Sequence, residues 1–191
     1  RRLGIRPGQQ ALLYAPTFRD YVSADDTRAE MIDFVDLGRL ARRLGDDYVI
    51  LLRGHPFNAR SGTQAEGRVV NVTDYPDIND LIVASDLAVL DYSSLRFDYA
   101  LTGKPAIFFV PDRERYFRGR EGFLPYDETT PGPQITAAAD LERAILDAPR
   151  LAAEHEEARR AFLSRFMELE DGHATQRLID RVFGSVRGRD C

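Results

Sequence analysis

The chain has 191 residues, a formal net charge of -5 and a single cysteine, Cys191, at its last position. That length buries one substantial core, read as one domain over 1–191, and the negative balance argues against a nucleic-acid partner. A lone terminal cysteine leaves no internal disulfide framework, which suits a reducing cytosol. No apolar run reaches the roughly 20 residues of a membrane span, and no signal peptide follows Arg1-Arg2. The chain opens without a Met and is expected to be a piece of a longer polypeptide.

Gln10 to Pro16 reads as a short strand stopped by proline, followed by the polar segment Thr17-Phe18-Arg19-Asp20. From about Ala24 to Gly45, Met31, Ile32, Val35, Leu40 and Leu44 recur at helical spacing, with Gly45 at the position after the helix end. Tyr48–Leu52 is a continuous apolar run, the pattern of a strand covered on both faces. Arg68–Val72 is a third strand, and Asp77 or Asn79 opens a short helix through Ala84. Leu87–Leu90 is a fourth strand, Ser93–Leu101 a helix ended by Gly103, and Pro105–Val110 a fifth strand. Pro111 to Pro133 reads as a long Gly- and Pro-rich loop, the kind that often binds or covers a ligand. The remainder, about 135–186, reads as C-terminal helices over 137–146, 151–166 and 174–183, with a break at Asp171-Gly172 and a frayed end.

Strands alternating with helices at this rhythm argue an α/β fold with a Rossmann-like parallel sheet. In such sheets ligands gather outside the carboxyl ends of the strands. Four polar clusters fall there: Thr17–Asp20, Arg53–His55, Thr73–Asp77 and Asp91–Ser94.

Each cluster has a structural and a functional reading. Ser93 and Ser94 open a helix, so they cap it or help its unpaired N–H groups hold an anion. His55 follows an apolar strand, where it hydrogen-bonds to backbone or donates to a phosphate oxygen. Arg53 beside it favours phosphate, since a guanidinium can grip one through two N–H groups. Thr17 and Arg19 form a plain turn or reach a phosphate or acceptor. Thr73, Tyr75, Asp77 and Ile78 are a loop and helix cap, or they hold a nucleobase. Asp91 and Asp98 suit a phosphate site only if they bind a hydroxyl, orient a cation or hold a metal; Asp98 lies four residues after Ser94 on one helix face. No metal is expected, because His155 and His173 lack ligand spacing. Walker and Gly-x-Gly-x-x-Gly loops are absent, as is the Gly-x-Ser-x-Gly elbow of hydrolases.

Taken in order, Leu13-Tyr14-Ala15-Pro16-Thr17-Phe18-Arg19-Asp20, Leu52-Arg53-Gly54-His55-Pro56, Val72-Thr73-Asp74-Tyr75-Pro76-Asp77-Ile78-Asn79-Asp80-Leu81, Ser85-Asp86 through Asp91-Tyr92-Ser93-Ser94, Phe97-Asp98-Tyr99, Gly103-Lys104-Pro105, the Tyr116 to Tyr126 loop, Pro131-Gly132-Pro133 and Asp171-Gly172 resemble the C-terminal half of the CDP-glycerol glycerophosphotransferase family, the teichoic-acid-type polymerases and primases. The resemblance implies the donor-binding half of a GT-B fold, with an N-terminal half of the same polypeptide as partner. It implies transfer of glycerol phosphate, or a related polyol phosphate, from a CDP-activated donor to a hydroxyl of a cell-wall or capsule polymer or lipid-linked acceptor, with release of CMP and without a cofactor. Arg53 and His55 would be the catalytic pair through phosphate contact, joined at the phosphates by Ser93 and Ser94. Thr73, Tyr75, Asp77 and Ile78 would lie near cytidine, and Thr17, Arg19, Asp91 and Asp98 elsewhere in the active site. The family's general base lies in the N-terminal half, so His55 is not assigned that role. The implied location is cytoplasmic, peripheral at the inner face of the membrane. A nucleotide-sugar glycosyltransferase of the same fold and a non-catalytic nucleotide-binding module are the alternative readings.

Overall fold

The computed structural model describes residues 3, 5–17, 19, 34–54, 68–118, 122 and 124–184. Six strands form one parallel sheet: β1 Gln10–Ala15, β2 Tyr48–Leu52, β3 Val69–Asn71, β4 Leu87–Leu90, β5 Ala106–Phe109 and β6 Gln134–Ile135. Their spatial order is β3-β2-β1-β4-β5-β6. The order reverses between β1 and β4, so the crevice of a Rossmann-like sheet opens there, at the carboxyl ends of these two strands.

The strands are apolar on both faces because both faces are covered. Leu12, Tyr14, Ile50, Leu52, Val89 and Ile107 point to one side, where they meet helix α1 (Leu37–Leu44) and helix α5 (Ala138–Leu146). Leu13, Val49, Leu51, Ala88, Leu90 and Phe108 point to the other, where Leu81 and Ile82 of α2 (Ile78–Ala84) and Tyr99 of α3 (Leu95–Ala100) close the core. This two-residue alternation is what turns a continuous apolar run into a central strand. Four further helices complete the described fold: α4 Arg113–Phe117, α6 Ala148–Glu154, α7 Glu156–Phe166 and α8 Ala174–Phe183. No helix among the described residues is long and apolar enough to cross a membrane.

Several sequence expectations change. The helix expected over Ala24 to Gly45 begins, within the described residues, only at Leu37, because Asp36 caps it by accepting from the N–H of Arg39 at 2.8 Å. Val35 therefore precedes the helix. Gly45 ends it at φ 77°, in the left-handed region expected of that position. The segment from Pro111 to Pro133 is more ordered than a loop: it carries α4 and a 3-10 turn at Asp127–Thr129. Ahead of the helix expected over 137–146, which spans Ala138–Leu146, the chain adds a strand not expected from sequence, β6, where Ile135 pairs with Phe109. The helix expected over 151–166 is two, with α6 starting at Ala148 and the chain breaking at His155, whose Nδ1 lies 2.9 Å from the Leu151 carbonyl. The helix expected from Ser93 starts at Leu95.

Candidate functional site

The four polar clusters lie side by side along one sheet edge, because β3, β2, β1 and β4 are neighbours in that order. At the switch point, Asp91 joins the two central strands. Its carboxylate accepts from the Thr17 N–H at 2.8 and 3.0 Å, from the Thr17 hydroxyl, from the Tyr92 N–H at 2.6 Å and from Arg19 Nη1 at 2.9 Å. Arg19 also donates through Nε to Asp112 at 2.7 Å and through Nη2 at 3.2 Å, and Tyr92 donates its hydroxyl to Asp112 at 2.9 Å. Asp112 follows β5, so the network ties the ends of β1, β4 and β5 together.

Aromatic rings close over these charges. The Arg19 guanidinium sits 4.8 Å from the Tyr92 ring and 5.1 Å from that of Tyr116, and these two rings stack at 3.7 Å. Tyr126 hydrogen-bonds through its hydroxyl to the Asp91 carbonyl at 2.8 Å. Burial alone would lower the Arg19 pKa, but the Asp112 hydrogen bond and the fields of Asp91 and Asp112 outweigh it and raise it. The Tyr92 phenol is pushed far up, first by burial and then by its bond to Asp112. Thr17, Arg19 and Asp91 thus meet at one point, and their polar groups are engaged with one another.

The turn after Asp91 offers free donors. Ser93 Oγ accepts from the Leu95 N–H at 3.1 Å, so Ser93 caps α3 while Ser94, at the cap position, makes no side-chain cap bond. Among the described residues, the N–H groups of Ser93 and Ser94 have no acceptor. Ser94 is exposed and Ser93 half-buried. Asp98, on the same short helix, is exposed.

At the end of β2, Arg53 faces the β3–α2 loop. Its Nη1 donates to the carbonyls of Val72, Thr73 and Tyr75 at 2.8, 2.6 and 2.5 Å. The Thr73 hydroxyl accepts from the Gly54 N–H at 2.9 Å, and a Cβ at Gly54 would stand 3.1 Å from that oxygen. Asp77 caps α2 by accepting from the Asn79 N–H at 2.8 Å, Tyr75 donates its hydroxyl to Asp80 at 3.0 Å, and Ile78 packs on the core. The loop from Thr73 to Ile78 is therefore held in shape from both sides. His55 lies outside the described residues.

Asp112 and Arg96 join the site without having been singled out from sequence, and Tyr116 and Tyr126, which bound a loop of the family resemblance, join it without having been given a role there. For Asp112 the signal was present: a carboxylate three residues past the end of an apolar strand, near the same sheet edge as Asp91. Among the described residues no group of three or more His, Cys, Asp or Glu side chains comes together as a metal site.

Residues 1–184 match the model of the family described as CDP-Glycerol:Poly(glycerophosphate) glycerophosphotransferase. The chain is 36% identical over 183 residues to the teichoic acid glycerol-phosphate transferase of Staphylococcus aureus, covering 95% of this chain and 47% of that protein. It is 34% identical over 189 residues to the teichoic acid ribitol-phosphate polymerase TarL of the same organism, covering 96% of this chain and 32% of that one. The solved structure of the wall teichoic acid polymerase TagF superposes with a TM-score of 0.81 at 32% identity, over 97% of this chain and 46% of that chain. A His-to-Asn variant of TagF soaked with CDPG matches equally well. The chain thus spans about half, or less, of the length of these relatives.

Proposed function

Because the chain belongs to the CDP-glycerol:poly(glycerophosphate) glycerophosphotransferase family, we propose that it is the donor-binding half of a polyol-phosphate transferase. The donor is CDP-glycerol or the CDP derivative of a related polyol, and the acceptor is a hydroxyl of a cell-wall polymer or its lipid-linked primer. An acceptor oxygen attacks the phosphorus that carries the polyol. The bond from that phosphorus to the bridging oxygen breaks, and CMP leaves with the electron pair. The hydroxyl proton passes to a base in the other half of the enzyme, which also brings the acceptor. The reaction runs in the cytoplasm, with the enzyme peripheral at the membrane.

Phosphoryl transfer asks the protein mainly for positioning and charge stabilisation. The observation that carries this reading is the pair of N–H groups at Ser93 and Ser94, without acceptors among the described residues and placed at the switch point of the sheet. They and the Ser94 hydroxyl hold the diphosphate, and no resident cofactor is needed for that task. Arg53 shapes the Thr73–Ile78 loop for cytidine and turns its remaining N–H groups to phosphate, with His55 beside it. Thr17, Arg19 and Asp91 position the turn and do not contact the donor directly. Titration calorimetry with CDP-glycerol, CDP and UDP-glucose tests the proposal. Cytidine diphosphates should bind and UDP-glucose should not; absence of binding by every cytidine nucleotide contradicts a donor domain.

A further inference from the structure

Two arginines are buried in the described fold, Arg19 and Arg96, and they differ in one respect. Arg19 is neutralised by two carboxylates. Arg96 is 9% exposed, and no carboxylate among the described residues pairs with it. Its Nη1 donates to the carbonyls of Tyr92 at 3.0 Å and Ser93 at 3.2 Å, and its Nη2 to the Thr129 hydroxyl at 3.1 Å. Among the described residues its Nε has no partner. The rings of Phe97 and Tyr126 each lie 5.3 Å from its Cζ. Burial lowers its pKa, with the fields of Tyr126, Tyr116 and Asp91 opposing, yet a guanidinium stays charged.

A buried charge without a counter-ion costs stability. Here it also sets the direction of the turn. In a trans peptide the C=O of one residue and the N–H of the next point in opposite directions, and no peptide bond here is cis. Drawing the Tyr92 and Ser93 carbonyls onto Arg96 therefore turns the Ser93 and Ser94 N–H groups the other way. Those are the two N–H groups that lack acceptors among the described residues.

We propose that Arg96 is a positioning residue for anion binding: by holding the Tyr92 and Ser93 carbonyls it aims the Ser93 and Ser94 N–H groups at the diphosphate of a CDP-activated donor. This rests on the donor-binding function proposed above and adds a residue to it.

Calorimetry and thermal melts on the full chain, with CDP and with inorganic pyrophosphate as probes, compare wild type with Arg96→Met, Arg96→Gln and Arg96→Lys. Arg96→Met should melt at or above the wild-type temperature without ligand, yet bind CDP about tenfold to hundredfold more weakly, with a shallower salt dependence. Arg96→Lys keeps the charge and should regain part of that loss. An Arg96→Met protein that binds CDP at wild-type strength overturns the inference. So does one that loses apo stability while keeping the wild-type shift in melting temperature with CDP, since that marks a merely structural role. If Arg96→Met fails to fold, Arg96→Gln keeps one donor for the turn, and a folded Gln variant with wild-type affinity overturns it equally. Wild-type protein that binds neither probe removes the donor reading and this inference together; wild-type binding with unaffected variants removes only this one.

Discussion

Replacing Arg19 by Met tests the network that ties the ends of β1, β4 and β5. Met keeps an apolar stem but removes the cation, leaving Asp91 and Asp112 as neighbouring buried carboxylates whose side chains are 5% and 7% exposed. Removing one partner of a buried ion pair costs about 3–5 kcal/mol, here chiefly because the Asp91 carboxylate loses its cation. At about 2–4 °C per kcal/mol for a domain of this size, the melting temperature should fall by roughly 6–20 °C. The lost cation–π contact with Tyr92, at 4.8 Å, acts in the same direction. Circular-dichroism melts and urea titration measure the effect. The variant with Asp91→Asn added should regain part of the loss, since the Asp91 charge that Arg19 balanced is then removed. A single Arg19→Met variant melting within about 2 °C of wild type would refute the view that these carboxylates depend on Arg19.

Arg53→Ala removes three hydrogen bonds to the Val72, Thr73 and Tyr75 carbonyls, so it should both loosen that loop, by about 1.5–3 kcal/mol in urea titrations, and weaken CDP binding. Full retention of stability would mean that the loop holds its shape without Arg53. Gly132→Ala would place a Cβ 2.5 Å from the Ala106 carbonyl oxygen; the strain should cost on the order of 1–3 kcal/mol in a thermal melt, by forcing apart the strands it joins. An unchanged melt would show that β6 can shift without penalty.

Most of the sheet was legible because buried strands announce themselves. The apolar runs of β1, β2, β4 and β5 are bounded by Pro, Gly and polar residues, and Asp77 and Gly45 mark helix ends by local chemistry. What escaped was set by contacts distant in sequence. β6 is two residues long and exists because it pairs with β5. Helix α4 is ordered by Tyr116 and Phe117 packing on Tyr92 and Tyr126, which no periodicity reports. The site divided in the same way. Asp91, Thr17 and Arg19 were found as polar residues at strand ends, yet their mutual bonding across more than 70 positions was not readable. Sequence patterns also gave no reason to single out Arg96, whose partners are backbone carbonyls and a threonine hydroxyl.

The central claim is that the turn between β4 and α3 binds the donor's diphosphate through its main-chain N–H groups, and Ser94→Pro tests it directly. Ser94 has φ -63°, which proline adopts without strain, and its N–H serves no acceptor among the described residues. The substitution deletes the N–H together with the Ser94 hydroxyl and leaves the described hydrogen bonds of the turn in place; Ser94→Ala, which removes the hydroxyl alone, isolates the share of the N–H. A charge-assisted hydrogen bond is worth roughly 1.5–3 kcal/mol, so CDP affinity measured by calorimetry should fall about tenfold to hundredfold, with the melting temperature nearly unchanged. A folded Ser94→Pro protein that binds CDP at wild-type strength would contradict the account.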